Sequence, residues 1–196
     1  MQGALKNAYL SEEDYLAEEM LRQDKNEYVS GQVFAMTGAS KPHNRIAGNV
    51  YVAFRANASK NCRVSVSDIK FKADQLYYNP GVMVACKPES SEYSETQPCL
   101  IVEVISPSTE TVDRGEKLHN YLKVAALEAY LLVSQKERRV DVYRRSGALW
   151  LFESMTDSGE IQLNCPSMTL TLDAIYSNVK VDTELLRSAG NASENN

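Results

Sequence analysis

The stretch LIVEVIS, residues 100–106, decides the fold that this sequence predicts. Apolar residues stand at both alternations of the stretch, which is typical of a central strand with two buried faces. Glu103 interrupts it, and Ile101 and Ile105 lie on the same face as Glu103. A buried carboxylate without a partner costs several kcal/mol, so Glu103 needs a cation, a metal ion or a proton. Two interpretations stay open: a structural ion pair with an arginine, or a functional-site residue.

The segment DRGEKLHNYLKVA, residues 113–125, follows this strand and predicts a helix. Asp113 is the expected N-cap, and Glu116 stands three positions later, as in a capping box. Lys117 lies in the first turns, at the edge of the apolar face. A lone lysine on a helix is usually a solvated surface residue. The direct connection from the strand nevertheless predicts that the Lys117 ammonium points back towards the Glu103 strand.

Further elements surround this strand–helix unit. Helical spacing predicts one helix over 11–23, capped by Ser11, and a second over 42–59. Between them, a hairpin is predicted over 27–38, with its turn at Gly31. A polar loop over 87–98 separates two of the remaining predicted strands, and a short closing segment covers 170–176. Strands are predicted within 62–73, 82–86, 100–106, 128–134, 138–145 and 148–154. This order predicts one α/β domain over residues 1–186, a mixed sheet flanked by helices, and a disordered polar tail over 187–196.

Composition limits the classes of function. The 196 residues carry a net charge of −5, which argues against a non-specific nucleic-acid coat but leaves DNA open as a substrate. No apolar run approaches the roughly 18 residues of a membrane span, and we expect a cytoplasmic protein with no membrane partner. The cysteines are far apart and form no C-x-x-C pair. We interpret them as small buried apolar residues, and not as zinc ligands or disulfides: Cys62, Cys86, Cys99 and Cys165.

Four more polar residues are weaker candidates. Asp68 interrupts the strand-like segment where its apolar face changes phase, and it is either a metal ligand or a turn cap. Glu27 begins a predicted strand and is either a ligand or the partner of a nearby lysine. His43 and its neighbour Asn44 precede or begin a helix, where a structural role is the commoner one.

Five stretches together resemble the Uma-type restriction endonucleases, a former domain of unknown function in the PD-(D/E)XK nuclease superfamily. They are EYVSGQVFAM, HNRIAGN, CRVSVSDIKFK, YYNPGVMV and LIVEVISPSTETVDRGEKLHNY. The resemblance extends from about Tyr15 to Tyr176, and EVISPST with DRGEK is its most specific part. It implies a restriction-endonuclease-like fold, a Mg²⁺ site on adjacent strands and DNA as the substrate.

The resemblance also implies roles for single residues. Glu103 corresponds to the acidic member of the nuclease motif, as a catalytic residue and metal ligand. Most of the superfamily has a lysine two positions later, where this chain has Ile105. The resemblance implies that the catalytic lysine of this branch stands on the following helix, at Lys117. Glu27 corresponds to an early glutamate of the family that serves as an accessory metal ligand.

One position departs from the family pattern. Gly81 stands where the family has its main metal-binding aspartate, within PGVMV instead of PDVMV. Mg²⁺ is held by one or two protein carboxylates, so this loss removes about half of the fixed charge at the site. Asp68 and Glu27 are the candidates to compensate for it.

A run of basic residues bears on the substrate. Arg138, Arg139, Arg144 and Arg145 lie close together in sequence, either protecting an exposed strand edge or contacting DNA phosphates. Three functions follow: a Mg²⁺-dependent DNA endonuclease of weak or absent activity, an inactive descendant that binds nucleic acid or protein, and a hydrolase of another phosphoester. A homodimer is compatible with the sequence.

Overall fold

A computed structural model of the chain describes residues 9–36, 38–88 and 91–181. A π-helical turn, Asp113–Lys117, joins two short helices, α3 and α4. The helices are α1 (Glu12–Glu19), α2 (Lys41–Asn57), α3 (Glu110–Val112), α4 (Leu118–Tyr121) and α5 (Leu172–Ile175). The strands are β1 (Asn26–Val29), β2 (Gln32–Ala35), β3 (Arg63–Val66), β4 (Lys70–Ala73), β5 (Leu76–Tyr78), β6 (Val82–Ala85), β7 (Ser94–Glu95), β8 (Leu100–Ile105), β9 (Ala129–Ser134), β10 (Arg139–Ser146), β11 (Leu149–Thr156), β12 (Glu160–Asn164) and β13 (Ser167–Thr171).

A six-stranded mixed sheet in the order β11-β10-β9-β8-β6-β3 forms the centre of the fold. Strand β8 pairs in parallel with β9 and antiparallel with β6, where Val82 lies opposite Val102. All six residues of β8 are buried, as the apolar pattern of LIVEVIS predicts. The expected α/β architecture, a mixed sheet flanked by helices with β8 inside it, is therefore confirmed.

Helix α2 covers one face of this sheet. Its N-cap Ser40 accepts a hydrogen bond from the His43 backbone N–H, and a proline in the first turn suits the helix start. Ile46, Val50 and Phe54 recur at helical spacing and are fully buried. The β12–β13 hairpin and α5 complete this core with further apolar side chains.

A second sheet, in the order β2-β1-β5-β4-β7, lies on the other side. The expected β1–β2 hairpin is present, and Ser30 and Gly31 both have positive φ, as a two-residue turn of this kind requires. The core next to it includes Ile101 and Ile105 of β8, several aromatic rings and part of α4. Glu103 therefore faces this aromatic core, because it shares a face with the two isoleucines.

Three sequence predictions need correction. Residues 62–73 are not one strand with a register change: β3 and β4 belong to different sheets, and Asp68 lies in the turn between them. The helix after β8 begins at Glu110, and Asp113 is not an N-cap because the chain is already helical there. The β12–β13 hairpin was not predicted, since its strands alternate apolar and polar residues only briefly.

The interpretation of the cysteines was also wrong. The structure joins Cys62 to Cys86 and Cys99 to Cys165 as disulfides. These pairs are 24 and 66 positions apart in sequence, so spacing along the chain did not reveal them. Strand pairing brings the first pair together, because β3 and β6 are neighbours and Arg63 lies opposite Ala85.

In the part of the chain that the structure describes, no helix combines the length and apolar character that a bilayer crossing needs. The predicted tail over 187–196 lies outside the described residues.

Candidate active site

Lys117 lies at the centre of a buried acidic cluster. Its Nζ atom is 2.9 Å from Glu27 Oε1, 3.2 Å from Glu103 Oε1 and 3.3 Å from Asp113 Oδ1. Both Lys117 and Glu103 are about 5% exposed. The prediction that Lys117 points from its helix towards Glu103 is therefore confirmed, and Glu27 from β1 joins the same cluster.

The Glu103 carboxylate accepts hydrogen bonds at both oxygens. Lys117 Nζ and the Tyr121 hydroxyl, at 3.0 Å, donate to Oε1. The backbone N–H of Gly81 donates to Oε2 over 3.2 Å. One interpretation of Glu103 was a structural ion pair with an arginine. In the structure, the charged partner of Glu103 is Lys117 instead.

The π-helical turn supplies two members of the cluster, Asp113 and Lys117, which are its first and last residues. Such turns are rare and frequently mark functional sites. The Tyr130 hydroxyl donates to the Asp113 carbonyl and fixes the start of the turn to β9. Tyr78 lies beneath the turn, 5.5 Å from Lys117 Nζ to the ring centre, and donates its hydroxyl hydrogen to Glu116.

Burial and excess charge set the protonation of this cluster. Burial raises the pKa of Glu103 to about 7, although Lys117 opposes the shift. Burial likewise raises the pKa of Asp113, again against the effect of Lys117. Burial disfavours the Lys117 ammonium, but its three carboxylate neighbours outweigh that effect and hold the pKa of Lys117 well above its usual range. The pKa of Glu103 is therefore shifted upwards by burial, which is the direction and the cause that we expect for a carboxyl group among isoleucines and valines.

Gly81 borders the cluster at the start of β6, one residue before the Val82–Val102 pair. Its φ lies outside the left-handed region, so an L side chain meets no backbone conflict there. A Cβ atom on Gly81 would lie 3.1 Å from the Val102 carbonyl oxygen, which requires the strands to give by a few tenths of an ångström. Val102 and Val104, the chain neighbours of Glu103, supply the atoms nearest to that Cβ, so an aspartate here would lie beside the Glu103 segment of β8.

His43 lies close to the cluster without joining it. Burial lowers the pKa of His43, while Asp113 and a hydrogen bond to the Val104 carbonyl act in the opposite direction. Its Nδ1 atom is buried and forms no hydrogen bond with any residue that the structure describes. Asn44, its neighbour, is exposed.

Asp68 is not brought into the cluster. Its side chain is 74% exposed and forms an ion pair with Lys25. The metal-ligand role considered for Asp68 therefore has no support in the contacts of this residue, because they lead away from Glu103 and Lys117. Asp113, which the sequence analysis did not consider as a ligand, supplies the third carboxylate of the cluster.

The arginines of β10, and Arg138 just before it, form ion pairs and hydrogen bonds within the protein. Arg138 pairs with Asp173, Arg139 with the buried Asp141, and Arg144 with Glu153. Arg145 donates to the carbonyls of residues 122, 124 and 127 and stacks on the Trp150 ring. The interpretation that these arginines protect an exposed strand edge is wrong for β10. This strand lies inside the sheet, and β11 forms the edge.

Sequence reasoning missed Asp113 and Tyr121 as site residues. The capping-box pattern gave Asp113 another explanation, and Tyr121 was considered only as part of an apolar helix face. A usable signal was present, since Asp113, Lys117 and Tyr121 recur at intervals of four and so share one face of a helix.

The mixed sheet between helices, with an acidic residue on β8, defines the class of this protein: an α/β protein with a restriction-endonuclease-like fold. The chain belongs to the Uma2 family, described as "Putative restriction endonuclease", whose model matches residues 12–174. This finding confirms the resemblance drawn from the sequence.

Individual relatives agree with this assignment. The chain is 36% identical to the uncharacterized protein slr1290 of Synechocystis sp., over 85% of this chain and 91% of that protein. It is 30% identical to the uncharacterized protein sll1609 of the same organism, over 79% and 93%. A crystal structure of "a putative nuclease belonging to DUF820" from Anabaena variabilis matches with a TM-score of 0.69 and 14% identity, covering 86% of this chain and 98% of that one. This last likeness concerns the fold.

Proposed function

We propose that this protein is a Mg²⁺-dependent DNA endonuclease whose metal site is degenerate and whose activity is weak or absent. The observation that carries the proposal is the buried contact between Glu103 Oε1 and Lys117 Nζ at 3.2 Å. The Uma2 family membership supports a nuclease as the general class. Mg²⁺, DNA and a cytoplasmic location are parts of the proposal.

The acidic cluster fits a divalent cation in its donor atoms and charge. Glu27, Glu103 and Asp113 offer only carboxylate oxygens, which Mg²⁺ prefers. Three carboxylates share the single ammonium of Lys117, so the ionised cluster carries excess negative charge. The buried Asp113 Oδ1 atom lies 3.3 Å from Lys117 Nζ, but within the part of the chain that the structure describes it accepts no well-aligned hydrogen bond. We infer that Glu103, Asp113 and Glu27 would hold the ion.

A bound Mg²⁺ supplies polarisation of a phosphodiester and a bound water of lowered pKa. Lys117 contributes a fixed positive charge close to the acidic ligands, where it stabilises the negative charge that develops on phosphate oxygens. Tyr121 orients the Glu103 carboxylate through its hydroxyl. Each of these side chains is already held in position by packing or hydrogen bonds, so little reorganisation is needed.

Two features of the site support low activity. Gly81 provides only a backbone N–H, where an aspartate would add a carboxylate beside Glu103. Lys117 also bridges all three acidic side chains, so a metal ion has to compete with its ammonium. Mg²⁺ keeps its hydration shell tenaciously, and a weak ligand set does not displace water readily.

The second candidate is an inactive descendant that binds nucleic acid or a protein. The hydrogen bonds within the cluster favour this second candidate, because both oxygens of Glu103 already accept hydrogen bonds from the protein itself. Contacts from Arg138, Arg139, Arg144 and Arg145 to DNA remain a prediction, and each would have to give up internal bonds to make them. Dimerisation also remains a prediction.

Plasmid nicking measured against Mg²⁺ concentration tests the proposal, with Glu103→Gln as the matched variant. We expect slow nicking that requires Mg²⁺ and disappears in the variant. Calorimetry provides a readout independent of turnover: Mg²⁺ binding should release protons near pH 7, since Glu103 must ionise to act as a ligand. DNA binding without nicking or Mg²⁺ binding would favour the inactive descendant, and rapid cleavage would contradict a degenerate site.

A further inference from the structure

The cysteines Cys62, Cys86, Cys99 and Cys165 form a cluster at the end of the sheet opposite Glu103. Cys62 precedes β3, Cys86 follows β6 and Cys99 precedes β8. Cys165 lies in the turn between β12 and β13. Four segments that are distant in sequence thus bring their sulfur atoms to one place, which we call the cysteine cluster.

The two disulfides of the cysteine cluster contact each other. Cys86 Sγ lies 3.4 Å from Cys165 Sγ and 3.8 Å from Cys99 Sγ, although it is bonded to Cys62. The Sγ atoms of Cys86, Cys99 and Cys165 all lie within 4.8 Å of one another. Two structural disulfides do not need to touch in order to stabilise a fold, so the convergence of four sulfurs calls for another explanation.

These distances fit a single soft metal ion. Zn²⁺ bound by thiolates at about 2.3 Å in a tetrahedron separates neighbouring sulfurs by roughly 3.8 Å. The 3.8 Å between the sulfurs of Cys86 and Cys99 matches that separation, and the 3.4 Å between those of Cys86 and Cys165 is slightly shorter. We propose that the reduced cysteine cluster binds one Zn²⁺ ion through all four thiolates, and that oxidation releases the ion and forms the two disulfides. This site is separate from the acidic cluster in both position and ligand chemistry.

The surroundings favour thiolates. Cys62 lines a surface groove together with Arg55, Lys60 and Arg63, and Arg63 is also paired with Glu95. Cationic side chains next to a thiol stabilise its ionised form. They also offset the net charge of −2 on a zinc ion bound by four thiolates. Cys62, Cys86 and Cys165 are only partly buried, so both a metal ion and an oxidant reach the cluster from solvent.

The conversion between the two forms balances with a peroxide as the oxidant. Each pair of thiolates loses two electrons and forms one S–S bond. The peroxide O–O bond breaks, and its two oxygens take up two protons to leave as two waters. Two peroxides therefore oxidise the four thiolates and release one Zn²⁺. A thiol or phosphine reductant returns the cysteines to the metal-binding form.

The cluster also ties the hairpin of β12 and β13 to the strands of the acidic site. Cys86 and Cys99 stand at one end of the β6–β8 pair, and Gly81 and Glu103 stand at the other. Zinc and the two disulfides thus fasten the same four segments in the two redox states. The fold is retained when the cluster changes form.

Cobalt substitution tests the proposal on the full chain. The protein is reduced with a phosphine under argon and titrated with Co²⁺. We expect thiolate-to-cobalt charge-transfer bands and visible bands of a tetrahedral ion that saturate at one Co²⁺ per chain and vanish when Zn²⁺ is added. Peroxide should then release one Zn²⁺ per chain. Absence of the charge-transfer bands in the reduced folded protein would overturn the proposal.

Variants separate this site from the acidic cluster. Cys165→Ser should weaken Zn²⁺ binding by more than about 100-fold, because it removes a direct ligand. Ser59→Ala is the matched control: its hydroxyl lies 3.2 Å from Cys62 Sγ, but it has no ligand role in the proposal. Glu103→Gln should leave the cobalt spectrum unchanged. Undiminished zinc binding in Cys165→Ser would contradict four-thiolate ligation, and the wild-type spectrum decides the matter if that variant does not fold.

Discussion

The Lys117 ammonium lies 3.2 Å from the Glu103 carboxylate, although one residue comes from a π-helical turn and the other from an inner strand of the sheet. Lys117 also contacts the partly buried Glu27 and the buried Asp113, so one ammonium serves three carboxyl groups. This arrangement makes the stability of the fold and the chemistry of the site depend on the same few atoms.

Removal of the cation should be costly. Lys117→Met keeps the length of the side chain but leaves the three carboxylates without a positive partner. Breaking a buried ion pair from one side costs about 3–5 kcal/mol, and we expect a loss of that size in urea unfolding at pH 7.5. The loss should be smaller at pH 5, where the carboxyl groups take up protons. A loss below about 1 kcal/mol at pH 7.5 would show that Lys117 does not neutralise the cluster.

Stability should fall as pH rises towards neutrality. The pKa of Glu103 is raised by burial to about 7, so the folded protein binds a proton that the unfolded chain has already released. The resulting stabilisation is fully present below the unfolded value near 4.5, and it is lost as pH rises through about 7. Its size is at most about 3 kcal/mol. Urea unfolding from pH 4.5 to 8 should show this decline in the metal-free protein.

Glu103→Gln is the matched control for this pH dependence. The variant keeps the shape of the side chain but cannot titrate, so its stability should decline less over the same interval. The raised pKa of Asp113 leaves a residual slope of the same sign. An identical slope in the two proteins would assign the pH dependence to groups other than Glu103.

Arg145 should stabilise the fold. Its guanidinium donates to the carbonyls of Leu127 and Val124, each over 2.7 Å, and stacks 4.4 Å from the Trp150 ring centre. Arg145→Ala should therefore destabilise the protein by roughly 1.5–3 kcal/mol. Lys136→Ala, at an exposed position before β10, should change stability by less than about 0.5 kcal/mol. Unchanged stability together with weaker, less salt-dependent DNA binding would assign Arg145 to phosphate contact.

Much of this fold could be predicted because local pattern and tertiary environment agree. The double apolar alternation of β8, the spacing of Ile46, Val50 and Phe54, and the Ser30-Gly31 turn each have a direct physical cause in the sequence. Glu103 stood out for the same reason, because a charge inside a buried strand violates the pattern around it.

The parts of the fold and of the site that could not be predicted from the sequence depend on contacts between distant segments. Glu27 reaches Lys117 only because the second sheet packs against the first, and the cysteines meet only because β3, β6, β8 and a hairpin turn end at one place. Asp113 was misassigned because an N-cap aspartate and a site aspartate look alike before the helix start is known. The exposed position of Asp68 likewise follows from a strand break that alternation alone did not locate.

Gly81→Asp tests the central claim most directly, that a missing carboxylate limits an otherwise assembled nuclease site. Gly81→Asn is the matched control, since both side chains approach the Val102 carbonyl oxygen equally closely and only one adds charge. Mg²⁺ affinity is measured by calorimetry and DNA nicking on a supercoiled plasmid, after each variant has been shown to be folded. We predict that Gly81→Asp raises Mg²⁺ affinity by about tenfold or more, equivalent to 1.4 kcal/mol, and increases nicking, that Gly81→Asn does neither, and that adding Glu103→Gln removes the gain. A folded Gly81→Asp protein that binds Mg²⁺ and cuts DNA no better than Gly81→Asn would contradict the claim.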